Sequence, residues 1–194
     1  TATGAVGQLI ASAQPGPGES GLADLLRAEV AGIETDGRGY IKVNAHLQTT
    51  SKNIWAFGDI TGRYMFRHVA NEEAEYAWHN SQHGHKAAMD YGAIPHAVFT
   101  HPPIASVGLT EEEALKQHDI LVGTARYWDV AKGQAMLETD GFAKAIVERA
   151  HSRILGFHIM GPEAPTLIQE VVNVMARGGT IDDVAAGIHI HPAM

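Results

Sequence analysis

The chain has 194 residues, 45% of them hydrophobic, and sets 14 Lys and Arg against 22 Asp and Glu for a formal charge of -8. That length holds one ordinary core or two small ones, and no basic run offers a track for a phosphate backbone, so nucleic acid is not expected as a partner. The longest apolar stretches, at 8–13 and 170–176, fall far short of the roughly 20 residues of a membrane-spanning helix, and no membrane association is expected.

There is no cysteine. The chain therefore has no disulfide, thiolate zinc site or thiol nucleophile of its own, a usage that fits a reducing compartment and a cytoplasmic location.

The opening stretch carries GPGESG, a match to G-x-G-x-x-G at Gly16, Gly18 and Gly21. Such a loop feeding a helix at 22–31 could cradle a phosphate. Against that use, Pro15 and Pro17 stiffen the loop where the backbone must approach the phosphate. The following GIETDGRGYIKVN, with Ile41 and Val43 alternating, reads as a turn and strand and not as the next strand of a βαβ unit.

A short apolar strand is expected at 53–57, ended by Gly58-Asp59 and a Thr61-Gly62 turn. A helix over 65–89 follows, with the small residues Ala70, Ala74, Ala77, Ser81, Gly84 and Ala88 on one face, suited to close packing on a neighbour. Gly84 weakens its last turns.

The texture changes after Tyr91-Gly92. Strands are expected at 97–100, 107–109, 124–130, 142–148 and 154–160. Thr110 with Glu113 forms a capping box for a helix at 111–117. A helix at 163–177 carries Leu167, Ile168, Val171, Val172 and Met175 on one face and ends at Gly178-Gly179. Thr180 and Asp183 cap a last short helix leading into GIHIHPAM. The fold class expected is α/β followed by α+β with an antiparallel sheet, in two blocks, 1–93 and 94–194.

Three groups of residues can carry chemistry. Gly58 lets the chain turn at a strand end, where the Asp59 carboxylate can accept a hydrogen bond from a sugar-type hydroxyl. The helix start near Met65 aims backbone N–H groups at the same place, suited to a carbonyl or an anion. A plain turn is the alternative reading of these residues. His191, directly before Pro192, is either a surface histidine or a proton carrier. The sets His189/His191 and His79/His83/His85 tempt as metal sites, but neither has a convincing further ligand, and no metal is expected.

The run IWAFGDITG followed by MFRHVANEEA resembles the second FAD signature of the pyridine nucleotide-disulfide oxidoreductases. VFTHPPIASVGLTEEEA and then GFAKAIVERAHSRILGFHIMGPEAPTLIQEVVNVMARGGTIDDVAAGIHIHP resemble that family's dimerisation domain. The motifs stand in the family's order over residues 21–194, and MFRH, VFTHP and the HIHP ending follow the dihydrolipoyl dehydrogenase pattern best.

The resemblance implies that 1–93 is the C-terminal part of an NAD/FAD-binding region. It makes 94–194 a dimerisation domain truncated at its C-terminus. Gly58 and Asp59 would then meet the ribityl chain of FAD, and Met65, Phe66, Arg67 and His68 the isoalloxazine oxygens. His191 would be the active-site base, working in the partner subunit of a homodimer. A carboxylate normally follows that proline by four residues, and the sequence stops at Met194.

The match fails over residues 1–20, and the family's redox pair C-x-x-x-x-C is absent with every other cysteine. Both ends look cut, and the chain alone is expected to be inactive. Its parent would move electrons between NAD or NADP, FAD and an active-site disulfide that exchanges with a dithiol substrate, in the service of cell redox homeostasis. The substrate expected is dihydrolipoamide. Mercuric reductase is disfavoured by His191, another disulfide such as that of glutathione or mycothiol is the alternative, and a non-catalytic dimerisation module or a small NAD-binding protein are readings from other classes.

Overall fold

The computed structural model describes residues 28–194. The GPGESG loop and most of the helix expected at 22–31 lie outside them; only residues 28–31 of that helix are seen, as the 3₁₀ turn Ala28–Ala31. The chain divides into two compact units, one ending at Asp90 and the other beginning at Tyr91.

In the first unit the chain folds back on itself through single bridges, Thr35 with Ile41, Val43 with Thr49 and Gln48 with Trp55. The strand expected at 53–57 is thus reduced to one bridge at Trp55. Its neighbours instead enter tight turns, with Leu47 and Asn53 at positive φ. The Asp36 carboxylate shapes the first turn by accepting hydrogen bonds from the Arg38 and Tyr40 amides at 2.8 and 3.0 Å. Ala28, Ile33, Ile41, Ala56 and Ile60 close a small core beneath these turns.

Helix α1 spans Arg67–Gln82, shorter than the 65–89 expected. In its last turn, Asn80, which is 0% exposed, seizes the chain that returns past the helix end. Its side-chain amide donates to the His46 and Ala87 carbonyls at 3.0 and 2.8 Å, and its oxygen accepts from the Ala87 amide. That pulls residue 87 back alongside the helix, and Gly84 lies in the segment that makes the turn. The buried line of α1 is Val69, Glu73, Ala77 and Asn80. Of the small stripe read from the sequence only Ala77 lies on it, while Ala70, Ala74 and Ser81 are half-buried beside it.

The second unit is a five-stranded antiparallel sheet. Its strands are β1 (Pro95–Val98), β2 (Ile104–Gly108), β3 (Ile120–Arg126), β4 (Phe142–Glu148) and β5 (Ile154–Met160), in the order β1-β2-β5-β4-β3. Strands β4 and β5 begin and end where the turn signals placed them. Helix α2 (Glu111–Leu115) has the expected capping box of Thr110 and Glu113.

The strand expected at 124–130 ends instead at Arg126. Tyr127–Asp129 form a 3₁₀ turn and Ala131–Ala135 a short helix, α3. The Tyr127 ring turns inward there, packed against Gly141 and Gly161, and its hydroxyl donates to the Pro162 carbonyl at 3.0 Å.

Helix α4 (Ala164–Met175) lays Ile168, Val171 and Val172 on one sheet face against Ala105, Val107 and Ile159, the face read from its 3.6-residue period. Burial of this kind contributes roughly 1.5–3 kcal/mol per large aliphatic side chain. Helix α5 (Ile181–Ala185) carries the second expected capping box, Thr180 with Asp183. The expected fold class holds: residues of an α/β region precede an α+β unit with an antiparallel sheet.

Candidate functional site

The first candidate lies at the turn after Phe57. Phe57 is extended, Gly58 takes φ +73°, and residues Gly58–Thr61 form a 3₁₀ turn closed by Gly62 at φ 65°. Positive φ at Gly58 costs little only because it has no Cβ, and a Cβ there would press on the Ala70 Cβ at 3.1 Å. The Gly62 amide donates to the Asp59 carbonyl at 3.0 Å, the Thr61 hydroxyl to the Gly58 carbonyl at 2.9 Å, and the Ile41 amide to the Ile60 carbonyl at 2.9 Å. Asp59 is the second residue of this fixed turn, with its side chain half-exposed.

Helix α1 begins beside the same stretch of sequence. Phe66 is its N-cap residue and supplies no side-chain cap, so no carboxylate or hydroxyl of its own caps the first turn, a start suited to an electron-rich ligand atom. Met65 and Arg67 are exposed, Phe66 stacks on the His68 ring at 5.4 Å, and Arg67 donates to Asn71 at 2.9 Å. The donor set fits a flavin's needs: a carboxylate for hydroxyls and a helix start for carbonyl oxygens.

Sequence reasoning missed Glu73. Its side chain is 1% exposed, and its carboxylate accepts the Gly58 amide at 2.6 Å. The available signal was a charged residue on the helix line between Val69 and Ala77, a position that packing alone would fill with an apolar side chain.

The second candidate is the tail after α5. His191 is exposed and stands before Pro192 in a cis peptide bond. Two contacts flank it: His189 Nε2 lies 2.9 Å from Glu170 Oε1 on α4, and Met194 packs against the core under the sheet. His189 thus faces a carboxylate. His79 and His83 stack on each other with ring centres 4.5 Å apart. Among the described residues no three His, Cys, Asp or Glu gather as a metal site, and no helix is long and apolar enough to cross a membrane.

A Gly-Asp turn leading into a helix whose N-cap residue supplies no side-chain cap, followed by an antiparallel sheet unit with an HIHP tail, defines a class. Just over half of the chain, residues 94–194, matches the family described as pyridine nucleotide-disulphide oxidoreductase, dimerisation domain, and residues 18–74 match pyridine nucleotide-disulphide oxidoreductase. The chain belongs to the pyridine nucleotide-disulphide oxidoreductase family, the flavoprotein disulfide oxidoreductases, whose flavin is FAD.

It is 42% identical over 179 residues to mycothione reductase of Mycobacterium tuberculosis, covering 89% of this chain and 39% of that protein. It is 37% identical over 179 residues to dihydrolipoyl dehydrogenase of Synechocystis, covering 87% of this chain and 38% of that one. The Cu(II) complex of the HOCl-induced flavoprotein disulfide reductase RclA from Escherichia coli superposes with a TM-score of 0.80 at 32% identity, covering 89% of this chain and 40% of that one. The chain therefore spans about two-fifths of the length of the proteins it matches.

Proposed function

We propose that the whole protein is a homodimeric, FAD-dependent oxidoreductase that passes electrons between NAD or NADP and a dithiol or disulfide substrate in the cytoplasm. Residues 1–93 belong to its NAD/FAD-binding region and 94–194 to its dimerisation domain. The observation that carries this reading is the family match over both blocks, joined to the left-handed Gly58 turn that presents Asp59.

Asp59 accepts hydrogen bonds from the ribityl hydroxyls, a role for which an anionic acceptor is suited because charge-assisted bonds are roughly twice as strong as neutral ones. The backbone of Met65, Phe66, Arg67 and His68, at the start of α1, meets the isoalloxazine oxygens. When bound, FAD relays electrons between the nicotinamide and a disulfide, chemistry that belongs to the cofactor.

His191 takes the proton of a substrate thiol, so that thiolate is the attacking species, and returns it when the thiol is reformed. An imidazole does both near neutrality because its unperturbed pKa is about 6.5. The exposure of His191 leaves the ring open to a substrate, and Glu170 and Met194 steady the tail on either side of it.

The first substrate reading is dihydrolipoamide, oxidised with NAD, on the pattern of MFRH, VFTHP and HIHP. The second is mycothiol disulfide, favoured by the 42% identity to mycothione reductase against 37% to dihydrolipoyl dehydrogenase. Turnover of the full-length protein with each substrate decides between them.

His191→Gln in that protein is expected to slow thiol-disulfide exchange by about 10²- to 10⁴-fold while FAD stays bound and the nicotinamide still reduces it. Exchange at the unmodified rate would remove His191 from the reaction.

A further inference from the structure

Among the described residues Glu73 is the one carboxylate buried below 2% exposure, and it stands on the packed line of α1 between Val69 and Ala77. Burying an ionised carboxylate costs several kcal/mol before its partners are counted, and an apolar residue would fill that helix position without the cost. Its bond to Gly58 spans fifteen residues of sequence and, at 2.6 Å, lies at the short end for an N–H donor to a carboxylate.

The group it holds is specific. Gly58 opens the 3₁₀ turn, and the N–H groups at the start of a helical turn have no partner within it. That N–H belongs to the peptide plane between Phe57 and Gly58, so holding it sets the approach to φ +73° and the direction in which Asp59 leaves the chain. Helix α1 meets the turn twice, through Ala70, whose Cβ leaves no room for a Cβ at Gly58, and through the Glu73 carboxylate three residues on. The remaining bonds of the turn, from Thr61, Gly62 and Ile41, fix its other peptides.

Resting on the reading of Asp59 as a flavin contact, we propose that Glu73 is a positioning residue for that contact. Its carboxylate locks the Gly58 peptide so that the Asp59 carboxylate is preorganised for the cofactor's hydroxyls. The same helix that offers its start to the flavin thus sets the carboxylate that holds the ribityl chain. Preorganisation of this kind raises affinity by removing an ordering cost that binding would otherwise carry.

The test uses the full-length flavoprotein in four forms beside the wild type: Glu73→Met, which keeps the side-chain volume and removes the acceptor, Glu73→Gln, which keeps an acceptor oxygen, Asp59→Ala, and Asp59→Ala with Glu73→Met. FAD is titrated into each apoprotein, following flavin fluorescence and the visible circular dichroism of the bound flavin. Glu73→Met is expected to weaken FAD by roughly 10- to 100-fold, the size of one charge-assisted hydrogen bond, and Glu73→Gln by less than about threefold. In the Asp59→Ala background Glu73→Met should add less than about threefold, because the two act through one contact.

Wild-type affinity in Glu73→Met, or a full second loss in the double variant, overturns the inference while leaving Asp59 as a contact. Wild-type affinity in Asp59→Ala overturns the reading beneath it, and the inference with it. Should Glu73→Met not fold, Glu73→Asp, which withdraws the carboxylate by one methylene at unchanged charge, takes its place with the same expected loss and the same cycle.

Discussion

His189 Nε2 meets Glu170 Oε1 at 2.9 Å, nineteen residues apart in sequence, and ties the exposed tail that carries His191 to helix α4. The two side chains are 49% and 52% exposed, so the pair is worth less than about 1 kcal/mol to the fold. Its effect is local. Glu170→Ala is expected to leave the urea midpoint almost unchanged and to raise amide hydrogen exchange at residues 188–191. Unchanged exchange there would mean that Met194 alone holds the tail.

Gly156, in the centre of β5, lies directly under the backbone of Leu109, whose carbonyl oxygen a Cβ at 156 would overlap. That backbone cannot move away, since the Leu109 amide donates to Leu155 O at 2.8 Å and its carbonyl is 3.1 Å from His158 Nε2. Gly156→Ala should cost about 1–3 kcal/mol or more by urea denaturation. Gly123 on edge strand β3 has nothing within 4 Å of the same position; Gly123→Ala should be neutral or slightly stabilising.

Burial, and after it the charges of Glu138 and Glu163, push the Tyr127 hydroxyl up to about 12. A raised folded value means that the folded state holds the proton more tightly. The contribution is present below the unfolded value of 10.0 and is lost as pH rises through about 12. Ultraviolet titration should show a phenol ionising near pH 12, and Tyr127→Phe should abolish that step. The substitution also leaves the Pro162 carbonyl without its donor, at a cost of about 1 kcal/mol.

The two capping boxes should respond to acid. Hydrogen bonds from Thr110 hold the Glu113 carboxyl below its ordinary 4.5, and those from Thr180 hold Asp183 below 3.8. Depressed folded values give stability that is present above the unfolded ones and is lost as pH falls through the lower, folded values. Thermal midpoints measured from pH 6 down to pH 3 (about the range that brackets both carboxyls) should fall less steeply in Thr110→Ala with Thr180→Ala than in the unmodified protein. At neutral pH each of those substitutions should cost about 1 kcal/mol of helix capping. An unchanged slope would assign the acid sensitivity elsewhere.

Much of the second unit was legible because its signals are local. Asp140-Gly141, the polar turn at 151–153 and Gly161-Pro162 bound β4 and β5 where the strands are found, and Thr-x-x-Glu and Thr-x-x-Asp marked two helix starts through bonds that close within four residues. The apolar period of α4 named the face it buries. Residues 127–130 were misread as strand because what bends the chain there is remote: Gly141 and Gly161 make room for the Tyr127 ring, and Pro162 receives its hydroxyl.

By itself, then, the sequence determined which family the chain resembles, the antiparallel unit with its caps, and the candidates Asp59 and His191, since motif order, turn chemistry and side-chain period all act over a few residues. Only the tertiary structure decided what grips them. Glu73 and Asn80 find their partners only when α1 packs and turns them onto Gly58, His46 and Ala87, and Glu170 and His189 meet only when the tail returns to α4. A buried carboxylate or an ion pair between distant segments has no local pattern, because its stability depends on surroundings and partners that exist only once those segments are brought together.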